Sequence, residues 1–212
     1  MKVSVAYIEN LLNIEFKKYV EKFHVISWNQ LYRDVIKLCF LIKRDNYKPD
    51  ILIALARGGW VIARIVSDML EIEQVTDMHV SFYTDINKTR KEPVILEDLG
   101  KDITKKRVLV VDDVSDTGES LIKVLGYLKE KRPLEIKTAT VYIKPWTKYV
   151  PDYYVKEIDG WIIYPYEIKE TIKKLWNRWI KEGMKEEEII IKLQTIKLPK
   201  WQIGLVLKDI KS

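Results

Sequence analysis

Residues 107–120 read RVLVVDDVSDTGES, and this stretch restricts what the chain can fold into more than any other. Val108, Leu109, Val110 and Val111 form an unbroken apolar run, mostly β-branched. Such a strand is covered on both faces, as in a parallel sheet with helices on each side. Asp112, Asp113 and Asp116 follow among short polar residues and Gly118. Leu121, Val124, Leu125 and Leu128 then recur at helical spacing. The segment reads as strand, acidic turn, helix.

The same alternation runs through the chain. SWNQ at 27–30 is a capping box, with Ser27 as N-cap and Gln30 three residues on. Leu31, Val35, Leu38 and Ile42 mark one face of the helix it opens. DILIALA (50–56) is a continuous apolar strand cut by RGG, and WVIARIVSDMLEI (60–72) resumes as a helix. HVSFY (79–83) alternates like a strand, TDINKTRKEP (84–93) is polar and structureless, and IKTATVYIK (136–144) is another strand. Strands alternating with helices predict an α/β fold, a parallel twisted sheet flanked by helices. Ligands in such sheets sit at the carboxyl ends of strands. Arg57-Gly58-Gly59, Ser81 to Tyr83, Asp112 to Ser120 and Lys144 all fall just past a predicted strand end.

At 212 residues the chain can hold one core-bearing domain with appendages. No apolar run is long enough to predict a membrane span. MKVSVAYIENLLNIEF has acids inside its apolar part and no small-residue cleavage site, so a cytoplasmic protein without a secretory signal is expected. The single cysteine, Cys39, excludes an internal disulfide and sits on an apolar helix face. His24 and His79 are isolated, and no Cys/His cluster has metal-ligand spacing. The net charge of +6 suits a phosphorylated small molecule. The lysines are scattered among acids, so a nucleic-acid partner is not expected.

The acidic turn carries the chemistry. Thr117, Gly118, Glu119 and Ser120 open a helix whose first-turn N–H groups and dipole favour an anion. The hydroxyls of Thr117 and Ser120 add donors, and Gly118 lets backbone approach closely. This is a phosphate cradle, although no Walker loop is present. Capping the helix would need only one acid. Asp112 and Asp113 can accept from a ribose diol, directly or through Mg²⁺ and its waters. Asp116, nearer the phosphate, can act as a general base.

With that reading, VLVVDDVSDTGES resembles the signature of the type I phosphoribosyltransferases, which use phosphoribosyl pyrophosphate (PRPP). The resemblance implies that Asp112 and Asp113 hold the ribose hydroxyls and that Asp116 to Ser120 hold the 5′-phosphate. It implies Mg²⁺ as cofactor, met at Asp112 and Asp113 through water or the ribose diol. Arg57, Gly58, Ser81 and Tyr83 would serve the pyrophosphate, with a non-proline cis peptide at Ala56–Arg57. The loop 84–93 would be a lid, its Lys88, Arg90 and Lys91 meeting the pyrophosphate.

VYIKPWTKYVPDYYVKEIDGWIIYPYE (141–167) resembles the 6-oxopurine branch, the hypoxanthine–guanine and xanthine–guanine enzymes. By that resemblance Lys144 donates to the purine O6, Trp161 stacks on the ring, and the Ile162 backbone meets the exocyclic edge. Glu167 stands where the branch usually has Asp. The implied activity is transfer of phosphoribose from PRPP to a 6-oxopurine in purine salvage, giving a nucleoside monophosphate and pyrophosphate. A PRPP- or nucleotide-sensing regulator on the same fold, or an enzyme for adenine, uracil or orotate, are the alternatives. The expected organisation is a core and hood over 1–167, the hood built around 145–167, and a helical extension over 168–212. A homodimer is expected.

Overall fold

The computed structural model describes residues 22–83 and 92–211. They fall into two compact units, residues 28–158 and residues 22–27 with 159–211. In the larger unit the elements run α1 (Trp28–Arg44), β2 (Ile51–Ala56), α2 (Gly58–Leu70), β3 (Val75–Tyr83), β4 (Glu92–Ile95), β5 (Arg107–Ser115), α3 (Glu119–Glu130), β6 (Glu135–Ile143) and β7 (Tyr153–Glu157). The other unit holds β1 (Phe23–Val25), β8 (Trp161–Ile163), α4 (Ile168–Lys181), α5 (Glu186–Thr195) and α6 (Lys200–Lys211).

The larger unit is built on a six-stranded sheet of order β4-β3-β2-β5-β6-β7. All its pairings are parallel except β3 with β4. The apolar run predicted to be covered on both faces is so covered, since Val108, Leu109, Val110 and Val111 are all fully buried. Ile51, Ile53, Leu55, Val108 and Val110 pack against Leu121, Val124 and Leu128 of α3. Strand residues of opposite parity face the other side, where α2 lies against β2 and β5. Helix α1 begins one residue after Ser27 and buries Leu31, Val35, Leu38 and Ile42, the face its spacing predicts.

One segment differs from the sequence reading. The stretch 145–167 is divided between the units. Tyr153–Glu157 pairs parallel with β6, and Asp152 clasps that edge by accepting from both the N–H and the hydroxyl of Thr138 at 2.7 Å. Trp161–Ile163 instead pairs with Phe23–Val25. The C-terminal helices share a core with that ribbon: Ile172, Leu175, Trp179, Ile189 and Leu193 cluster with Ile163, and Phe23 and Val25 pack against them.

Candidate active site

Strand β5 carries the first two acids. Its pairing with β6 continues past the apolar run, with Asp112 opposite Thr140 and Ser115 opposite Ile143. Asp112 and Asp113 are therefore strand residues, and the turn proper is Asp116 to Gly118. The ladder extends the strand where composition alone suggested a turn. Helix α3 starts at Glu119 with Gly118 as N-cap at φ 80°. A Cβ on Gly118 would lie 2.6 Å from the Tyr149 nitrogen, so glycine is required by both dihedral and space. The turn walls a pocket of about 270 Å³ lined by Asp112, Ser115, Asp116, Thr117, Gly118 and Ser120, among others. A concavity at a helix N-terminus fits a phosphate.

The two strand acids interact directly. The Asp113 N–H donates to Asp112 Oδ1 at 2.9 Å. Burial, and then the neighbouring Asp113 charge, push the Asp112 carboxyl well above the usual carboxylate range. The corner after β2 abuts this pair. A Cβ on Gly58 would fall 2.2 Å from Asp113 Oδ2. The peptide Ala56–Arg57 is cis, at the position the resemblance implied, and Arg57 is the N-cap of α2. Among the described residues no group of three or more His, Cys, Asp or Glu side chains could hold a metal. Two adjacent carboxylates under mutual repulsion nonetheless suit Mg²⁺, which keeps several waters and takes its other ligands from substrate oxygens.

Lys144 directly follows β6 and is almost fully buried. Its N–H donates to the Ser115 carbonyl at 3.0 Å, so the end of β6 is tied to the end of β5. The residues after it are fastened to the cradle. Ser115 Oγ donates to the Tyr149 carbonyl at 2.8 Å and lies 2.9 Å from Thr147 Oγ1. The Lys148 N–H reaches the Thr117 carbonyl at 3.0 Å, and its ammonium reaches Glu119 at 2.7 Å. Trp146 Nε1 donates to Asp116 Oδ1 at 2.9 Å, and the Lys144 ammonium lies 5.6 Å from the centre of the Trp146 ring. Sequence reasoning singled out Lys144 and Asp116 but missed Ser115, Trp146, Thr147 and Lys148. Their partners are about thirty positions away, so no local period announces them.

The remaining expected site residues are placed as follows. Ser81 and Tyr83 lie inside β3, not beyond it, because β4 pairs antiparallel there and lengthens the strand. The proposed lid falls largely on residues 84–91, outside the described residues. Trp161, Ile162 and Glu167 belong to the smaller unit. The Trp161 N–H donates to the Lys22 carbonyl at 2.7 Å, and its ring lies 6.0 Å from that of Phe23. Ile162 is buried in β8. Glu167 precedes α4 and accepts from the Tyr164 N–H at 3.2 Å, closing a local turn.

Comparison with known proteins matches this arrangement. The family model of the phosphoribosyl transferase domain matches residues 27–171. A xanthine-guanine phosphoribosyltransferase of Desulfotalea psychrophila is 34% identical over 145 residues, 67% of this chain and 84% of the relative. The crystal structure of a purine phosphoribosyltransferase from Pyrococcus horikoshii is similar with a TM-score of 0.62 and 39% identity, over 68% of this chain and 93% of that one. A Helicobacter pylori xanthine-guanine-hypoxanthine phosphoribosyltransferase has a TM-score of 0.62 at 25% identity, covering 72% of this chain and 99% of its own. The chain belongs to the phosphoribosyl transferase domain family.

Proposed function

We propose that the protein transfers the phosphoribosyl group of PRPP to N9 of a 6-oxopurine, in the cytoplasm and in purine salvage. The observation that carries this reading is Lys144: a nearly buried residue whose backbone is bonded to the strand bearing the carboxylates. An ammonium at this position can donate to the carbonyl oxygen of a 6-oxopurine, whereas the amino group of adenine presents it with another donor. Relatives named for xanthine and guanine support the same acceptor class.

In the reaction the N9–C1′ bond forms as the C1′–O bond to pyrophosphate breaks. The cradle of Asp116 to Ser120 holds the 5′-phosphate, and Asp112 and Asp113 hold the ribose diol. Asp116 takes the proton from N7 as N9 attacks. Arg57, Gly58, Ser81 and Tyr83 are assigned to the pyrophosphate. Trp161, Ile162 and Glu167 are assigned to the base. Asp112 and Asp113 are the residues that would hold Mg²⁺, which when bound supplies positive charge to the leaving group. The substrate's position, fixed between strand ends, supplies much of the rate.

Lys144→Ala tests the assignment. It should lower kcat/KM for guanine and hypoxanthine by roughly tenfold or more, the cost of an unmet buried acceptor, while PRPP affinity measured by calorimetry stays within about twofold. Undiminished use of both bases by the variant would remove Lys144 from base recognition.

A further inference from the structure

Trp146 touches both Asp116 and Lys144. Its indole N–H donates to Asp116 Oδ1 at 2.9 Å. Its ring face lies 5.6 Å from the Lys144 ammonium, within cation–π range. The ring has reason to stay there. The Thr147 N–H closes a turn on the Lys144 carbonyl at 3.1 Å, and the Lys148 N–H fixes the next residue to Thr117 at 3.0 Å. Asp116 is exposed, and among the described residues its carboxylate accepts no other hydrogen bond.

Resting on the function proposed above, we infer that Trp146 is a positioning residue for proton transfer and base selection. The indole holds one oxygen of Asp116, which leaves the other oriented to receive the proton from the base. The ring carries the Lys144 ammonium on its face and so sets where the purine oxygen is met. A carboxylate with one oxygen pinned loses the rotamer freedom that would otherwise be lost at the transition state. Asp116 remains the group that touches the reacting atoms, and Trp146 acts through it.

Trp146→Phe keeps a ring for Lys144 and removes the N–H. It should lower kcat on guanine about tenfold, the worth of one hydrogen bond to a charged group, with KM for PRPP unchanged. Trp146→Leu should add a several-fold rise in KM for the base. The same Trp146→Phe change in an Asp116→Asn background should cost nothing further, because no proton acceptor is left to position. Trp146 is half-exposed, so neither variant creates a core cavity, and calorimetric PRPP binding within twofold of the unaltered protein shows an intact cradle. An unchanged kcat in the Phe variant, or an equal loss in both backgrounds, overturns the positioning role. Equal base KM in the Phe and Leu variants overturns the role of the ring. An unaltered protein that transfers to no base overturns the proposed function itself and this inference with it.

Discussion

Asp112 shows how a single residue can serve the site at the expense of the fold. Burial and the Asp113 charge raise its folded-state carboxyl well above the usual range. A group with a raised folded pKa binds more protons native than unfolded, so stability falls as pH rises from the ordinary carboxylate range through the raised value. Asp112→Asn keeps an oxygen to accept the Asp113 N–H and abolishes this penalty. The variant should melt higher than the unaltered protein at pH 7 and equally at pH 3.5, with PRPP affinity reduced. An equal melting temperature at pH 7 would contradict the repulsion. Gly58 accommodates the pair, since its missing Cβ makes room for Asp113. Much of this site was legible in the sequence, since DDVSDTGES announces acids and helix start within one contiguous window. Trp146, Thr147 and Lys148 were not, because hydrogen bonds between separate loops leave no mark on local composition.

The elements are held in register by polar clasps as well as by the sheet. Asp34, on the buried face of α1, accepts from Tyr142 of β6 at 2.9 Å, from Gln30 at 3.1 Å and from Lys37 at 2.9 Å. Lys156 of β7 stands 3.2 Å away. Burial alone would raise the Asp34 carboxyl, but these partners outweigh it and bring it down to about 2. A depressed pKa contributes stability above the ordinary carboxylate range, lost as pH falls through the native value. Asp34→Ala should cost about 1–3 kcal/mol in urea unfolding at pH 7, from the lost hydrogen bonds to the ionised carboxylate, and the difference should shrink between pH 4 and pH 2. A constant difference over that window would rule out ionisation as the source. The strands that alternation and apolar runs announced, β2, β3, β5 and β6, are present. β1, β4, β7 and β8 are three to five residues long and were missed or folded into loops. Strands that short carry too few residues for a period of two to stand out, and their partners are set by topology. The sequence places the turn at Pro151–Asp152 within the expected hood. Asp152 anchors β7 to Thr138, a contact visible only once β6 and β7 are neighbours.

Across the whole molecule the family match ends at residue 171, while the helices continue to residue 211. Those helices are not a loose tail, since α5 and α6 cover Ile172, Leu175 and Trp179 of α4. Deleting 182–212 should expose that core and lower the melting temperature without removing any residue assigned to PRPP. Unchanged stability would contradict the shared core. Apolar side chains remain on the surface, Trp201 and Leu205 one turn apart on α6 and Trp28, Tyr32 and Phe40 along α1. We propose a homodimer, in which a two-fold pairing covers such a face reciprocally. Sedimentation equilibrium at micromolar concentration should give twice the 25.2 kDa chain mass, and a single-chain mass would refute the dimer. Among the described residues no helix is long and apolar enough to cross a membrane. The central claim is phosphoribosyl transfer to a 6-oxopurine. Its most direct test is pyrophosphate release from PRPP and Mg²⁺ by the full chain, measured against guanine, hypoxanthine, xanthine, adenine, uracil and orotate. Base-dependent release with one or more of the first three, and at least tenfold less with the others, is the predicted result. Release no faster with any 6-oxopurine than with adenine, or no release with any base, would contradict it.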